Sequence, residues 1–184
     1  MKTPDELLLT AENCLTEALA AYESGGHSVH AAEFYELRVQ AAIFNYDICH
    51  EVVSLWKNEP NGFALNVALK NIVHKLYEYD KSLSGKLVNR MLTLARAREV
   101  EVHKDDIRNE RKKWREQLSK LQKWADVRNE TSGHYGKNIA KQVALLKQLD
   151  RKEVMAVAAA FLAFNIVVLK ALMEVGRGKY SPSE

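Results

Sequence analysis

Two cysteines, three prolines and eight glycines in 184 residues leave little material for a disulfide scaffold or a glycine-rich phosphate loop. Cys14 and Cys49 stand apart, without CxxC spacing, each inside an apolar helical pattern. They read as buried thiols of a reducing compartment. The chain contains no GxSxG, no HExxH and no P-loop, so the common motif-borne hydrolase, zinc-protease and NTPase chemistries have no foothold. Strand signals are equally scarce. Glu99-Val100-Glu101-Val102-His103 alternates polar and apolar residues, but no second such segment exists to pair with it, so it reads as a connector. Met1-Lys2-Thr3-Pro4-Asp5-Glu6 is a helix start and not a charged region ahead of an apolar one. A cytoplasmic protein without a secretory signal is expected.

What remains is ordinary globular composition, 47% apolar and 28% charged, in a chain of one domain's length. The expectation is an all-α bundle of about five or more helices, a single domain over residues 1–176 with a flexible tail over 177–184. Thr3 can cap a first helix, with Pro4 at its first position and Asp5 and Glu6 in its first turn. Gly25-Gly26 ends it. Ser28 caps a second helix that runs to about Lys57, and Asn58-Glu59-Pro60-Asn61-Gly62 stops it. A third spans roughly Phe63 to Leu83 and a fourth starts near Gly85. A long helix follows from about Asp105 into the Arg128 region, with Ile107, Trp114, Leu118, Leu121 and Trp124 on one stripe. Ser132-Gly133-His134-Tyr135-Gly136 interrupts it. Ile139, Val143, Leu146 and Leu149 continue helically, and a final helix runs from about Lys152 to Val175.

Val154 to Met173 is broken only by Asn165 and Lys170, and could span a bilayer by length. Asn165 would then sit near mid-membrane and Lys170 inside one end, both at a cost. The small residues Ala158, Ala159, Ala160 and Ala163 suit close helix contact. A core or dimer-interface helix, with no membrane contact, is therefore expected.

Charge is more informative in its distribution than in its total of +3. Arg108, Arg111, Lys112, Lys113, Arg115 and Lys120 outweigh Asp105, Asp106, Glu110 and Glu116. This stretch is either a footprint for a nucleic-acid backbone, with Lys112 and Lys113 as contacts, or a solvated salt-bridged face. Asp47-x-x-His50 with Glu51 resembles half of a bundle metal site, but no second pair accompanies it. His27-x-x-His30 lacks carboxylate or cysteine company. Neither a metal nor another cofactor is expected.

One short motif carries chemistry. Arg128 offers a permanent charge and a planar fork for phosphate, Asn129 neutral hydrogen bonds, and His134 a proton exchangeable near neutral pH. Such a set suits phosphodiester chemistry, one group moving a proton while another stabilises charge on phosphate oxygens. On an unbroken helix His134 would lie about 120° around from Arg128, so the two would not converge. Either Gly133 breaks the helix, or the groups meet partners from another chain. The plainer alternative is an arginine–carboxylate bridge beside a capping or packed histidine.

Arg128-Asn129, then His134 after a spacer from Asn129 through Gly133, late in an all-helical chain, resembles the HEPN superfamily. Glu33-Phe34-Tyr35-Glu36-Leu37-Arg38 is similar to a polar-studded early helix of such bundles. The resemblance implies a homodimer in which two motifs share a cleft, and a metal-independent RNA endonuclease of toxin–antitoxin or defence systems. Arg128 would hold the scissile phosphate, Asn129 would orient groups, and His134 would move a proton as the ribose 2′-OH attacks. Lys112, Lys113 and Tyr135 would contact single-stranded RNA, and an antitoxin protein would be a partner. Some family toxins carry His-x-Tyr with a modified tyrosine. Here Tyr135 directly follows His134, so that feature does not carry over. Inactive HEPN domains serve as RNA- or protein-binding modules, which is the alternative function.

Overall fold

The computed structural model describes residues 3–25, 28–131 and 138–177, and among these every regular element is a helix. The expected tail lies outside the described residues except for Arg177, which is helical.

Helix α1 (Pro4–Ser24) starts on a capping box. The Thr3 side chain accepts from Glu6 N–H at 3.2 Å, while the Thr3 N–H donates to the Glu6 carboxylate at 2.7 Å. Two otherwise orphaned donors are thereby satisfied. Ser28 caps helix α2 (Val29–Asn58) through the Ala31 N–H. Asn61 precedes helix α3 (Gly62–Ser82) without a side-chain cap.

No break follows α3. A π-turn over Leu83–Leu87 leads straight into helix α4 (Val88–Ala97), and the Val88 N–H bonds the Leu83 carbonyl. The expected separate start near Gly85 is therefore corrected: one rod with a local change of pitch replaces two helices. Ser84 donates its hydroxyl to the Asp80 carbonyl at 2.7 Å, and that carbonyl also accepts the Leu83 N–H.

Residues 99–103 form a connector, with Glu99 at φ 56. The long helix expected from Asp105 is in fact three segments: α5 (Lys104–Lys112), α6 (Arg115–Lys123) and α7 (Ala125–Thr131). Both breaks fall at tryptophan. Trp114 and Trp124 adopt φ −108, ψ 12 and φ −97, ψ 10, the bridge conformation in which the α ladder slips. Neither glycine nor proline marks them, and the apolar stripe runs across both. Helices α8 (Ile139–Lys147) and α9 (Arg151–Arg177) complete the described chain.

Helix α9 is the hub. It packs on α2, α3, α4, α5 and α6 and buries Val154, Val157, Phe161, Phe164, Val168, Leu172 and Val175. It is long and apolar enough to cross a membrane, yet in this fold those side chains form the core. Asn165, fully buried, is satisfied by two other helices. It accepts from the Tyr79 hydroxyl and donates to the Ala41 carbonyl at 3.1 Å. Lys170 lies exposed. Phe44 stacks on Tyr79 with ring centroids 3.4 Å apart and meets Phe161 edge-on. At the far end Gly176 abuts the Phe34 ring so closely that a Cβ would collide with it.

Candidate functional site

The face of α3 turned toward α7 places His74 and Glu78 one turn apart, and α7 answers with Thr131 and Arg128. The pairing is antiparallel. Glu78 Oε1 accepts from Arg128 Nε at 2.7 Å and lies 2.5 Å from a terminal guanidinium nitrogen. His74 Nε2 lies 3.1 Å from Thr131 Oγ1. Arg128 also donates to Asn129 Oδ1 at 3.1 Å, and its guanidinium lies 5.8 Å from the centre of the Tyr77 ring. The arginine is thus aimed by a carboxylate, an amide and an aromatic face.

His74 and Glu78 line a cleft of about 510 Å³ between α2 and α3. Ile43 and Phe44 give it an apolar side, and Asp47 and Lys75 a charged one. Lys75 is shared by Asp47 at 3.3 Å and Glu51 at 2.9 Å. Burial works to lower the Lys75 pKa, but the bond and charge of Glu51 and the nearby Asp47 outweigh it, and the ammonium is held above its usual range. The carboxylates of the Asp47-x-x-His50-Glu51 pattern are therefore engaged with an internal cation.

The protonation state of His74 follows from its neighbours. Thr131 gives its only hydroxyl hydrogen to the Val127 carbonyl at 2.5 Å. The histidine must then be the donor across the 3.1 Å contact, which places a hydrogen on Nε2 and leaves Nδ1 as an acceptor in the neutral ring. Burial lowers the His74 pKa, and Lys70 and Arg128 lower it further. The Val127 carbonyl and Glu78 oppose them and do not prevail. The lowered pKa favours the neutral imidazole near pH 7.

His134 and Tyr135 lie outside the described residues, as does His27. The chain on either side of 132–137 is tied together. Lys141 Nζ pairs with Glu130 at 2.7 Å, and Gln142 donates to the Glu130 carbonyl at 2.8 Å. Lys112 lines a second cleft on the Asp80 side of α3, whereas Lys113 turns to Glu110 at 2.5 Å. Positions 78 and 80 point about 200° apart on a helix, so the two clefts open on different sides of α3.

Sequence reasoning missed His74, Glu78 and Thr131. The signal available was the spacing of His74 and Glu78 on one face of a helix, a common pattern without the long-range partner that gives it meaning. Both cysteines are free, Cys49 buried and Cys14 half-buried, and burial raises both thiols, that of Cys49 to about 11. Comparison of the chain with protein-family models, with curated proteins and with solved structures returned no match.

Proposed function

We propose that this protein is a metal-independent RNA endonuclease of the HEPN type. The observation that carries the reading is Arg128, a permanent cation fixed by Glu78, Asn129 and Tyr77, one helical turn before the segment that bears His134. In the proposed reaction the ribose 2′-OH attacks the adjacent phosphorus. Its proton passes to a histidine, the O2′–P bond forms, and the P–O5′ bond breaks as the leaving oxygen takes a proton. Arg128 offsets charge on the phosphate oxygens and Asn129 orients the guanidinium. His134 takes the proton-transfer role, and a homodimer would bring two such sets to one cleft. An antitoxin protein would be the natural regulator of such an activity in the cytoplasm.

The test is cleavage of single-stranded RNA and of the matching DNA by purified protein in EDTA. RNA is cut to 2′,3′-cyclic phosphate ends and DNA is spared, because DNA lacks the nucleophile. His134→Ala lowers the rate by about 10²–10⁴-fold. Activity that vanishes in EDTA and returns with magnesium would sink the mechanism.

The engagement of Arg128 by Glu78, whose Oε1 meets two guanidinium nitrogens, favours one second reading, a non-cleaving module that binds RNA or a protein through the same cleft. Retained RNA binding without cleavage in wild-type protein would select it.

A further inference from the structure

The second cleft, about 450 Å³, lies where the end of α3 meets α5 and α6. Four cations line it: Arg108, Arg111, Lys112 and Arg115. Among the described residues only one carboxylate, Asp80, shares the wall, and it is taken by Arg111. That arginine also lies over the Phe164 ring at 5.9 Å, at the back of the cleft. Arg108 is balanced by Asp105 at 3.2 Å. Lys112 has only the neutral Asn109 amide oxygen, at 3.1 Å, and Arg115 has no carboxylate partner among the described residues. Among the described residues, these two positive charges in one concavity have no carboxylate partner.

We propose that this cleft binds a phosphate monoester, with Lys112 and Arg115 meeting its two negative charges. A guanidinium offers paired donors that match phosphate oxygens, and an ammonium adds a compact charge. The cleft is larger than a phosphate ion requires. Leu118 supplies an apolar floor, and Ser119 and Gln122 supply neutral hydrogen-bonding groups for the organic part of the ligand. The site stands apart from Arg128 and does not depend on RNA cleavage. Two sources share this chemistry, the 5′ end of an RNA strand and a small phosphorylated metabolite.

The experiment uses the full chain carrying His134→Ala, so that no strand is cut. Melting temperature is followed in phosphate-free buffer at constant ionic strength with ribose 5-phosphate, and binding is measured for one oligoribonucleotide with a 5′-phosphate or a 5′-hydroxyl. Ligand at about 100 times its Kd should raise the melting temperature by about 5–10 °C. Arg115→Gln and Lys112→Gln, both at exposed positions, should each reduce the shift. Lys152→Ala, outside the cleft, should leave it intact. Tighter binding of the phosphorylated strand than of ribose 5-phosphate assigns the strand end, and the reverse order assigns a metabolite. The proposal fails if ribose 5-phosphate gives no shift beyond added chloride and the two oligonucleotides bind alike. It fails equally if the shift survives in the Arg115→Gln, Lys112→Gln double variant.

Discussion

His74 Nε2 lies 3.1 Å from Thr131 Oγ1, whose own hydroxyl hydrogen goes to the Val127 carbonyl, so the ring is positioned as a donor toward α7. Burial, Lys70 and Arg128 together lower its pKa below the ordinary 6.5. Nuclear magnetic resonance of the ring nitrogens should therefore show a neutral imidazole at pH 7, protonated on Nε2, with a midpoint below 6.5. The unfolded chain binds that proton more readily than the folded one. Stability from this group is thus fully present above about pH 6.5 and declines as pH falls through the lowered folded value. A midpoint above 6.5 would overturn the neutral form assigned to His74.

Arg128→Ala separates stability from chemistry. The Arg128–Glu78 pair is roughly a third and a half exposed on its two sides, so solvent screens it and its loss should cost at most about 1 kcal/mol. Cleavage should nevertheless fall by about 10²–10³-fold, the scale of losing one charge-stabilising group. Glu78→Gln should keep much of the fold stability and loosen the guanidinium. Chemical denaturation beside RNA cleavage rates checks both. A large stability loss in Arg128→Ala would make the residue structural.

Tyr79→Phe tests the buried polar link between α3 and α9. It leaves Asn165 Oδ1 without its donor in a fully buried place, and should cost about 1–3 kcal/mol in urea denaturation. Burial raises the Tyr79 pKa well above its usual value, so the phenol remains a hydrogen-bond donor throughout the working pH range. A cost near zero would mean that the Asn165–Ala41 bond alone holds the asparagine.

The homodimer proposal is addressed by the outward side of α9, where Ile166 and Met173 remain 49% and 36% exposed. Light scattering without detergent should give twice the 20.9 kDa chain mass. Ile166→Glu should then shift the equilibrium toward monomer while the helical circular-dichroism signal persists. A wild-type monomer at micromolar concentration would defeat the shared-cleft proposal.

Local rules made much of the bundle legible. Thr3, Pro4 and Glu6 mark the start of α1, Ser28 marks α2, and the polar run 58–62 separates α2 from α3. Asn165 and Lys170 argued for a packed α9, and the buried asparagine finds its partners in Tyr79 and Ala41. The breaks at Trp114 and Trp124 were illegible because the apolar period continues across both, while the segments they separate pack on different partners, α5 and α6 on α9 and α7 on α3 and α8. The site was half legible for a related reason. Arg128 and Asn129 are neighbours in sequence, but Glu78 and His74 lie about fifty residues away and meet them only because α7 docks on α3. Likewise, which cations between Lys104 and Lys123 remain uncompensated depends on where Asp80 falls, and no local pattern encodes that.

The π-turn at Leu83–Leu87 has a consequence for chain length. Tyr79, Leu83, Leu87 and Met91 are buried at a spacing of four, a rhythm that would drift about 120° around an uninterrupted α-helix over that distance. The wider turn absorbs the drift and keeps Met91, Leu94 and Ala95 directed at the core. Deleting one residue from 84–86 would leave eleven regular helical steps between Tyr79 and Met91, a drift of only about 20°, so the apolar row would keep facing the core. The rod from Gly62 to Ala97 can therefore lose one residue within the wide turn, whereas a deletion elsewhere along it would swing the row by about 100°.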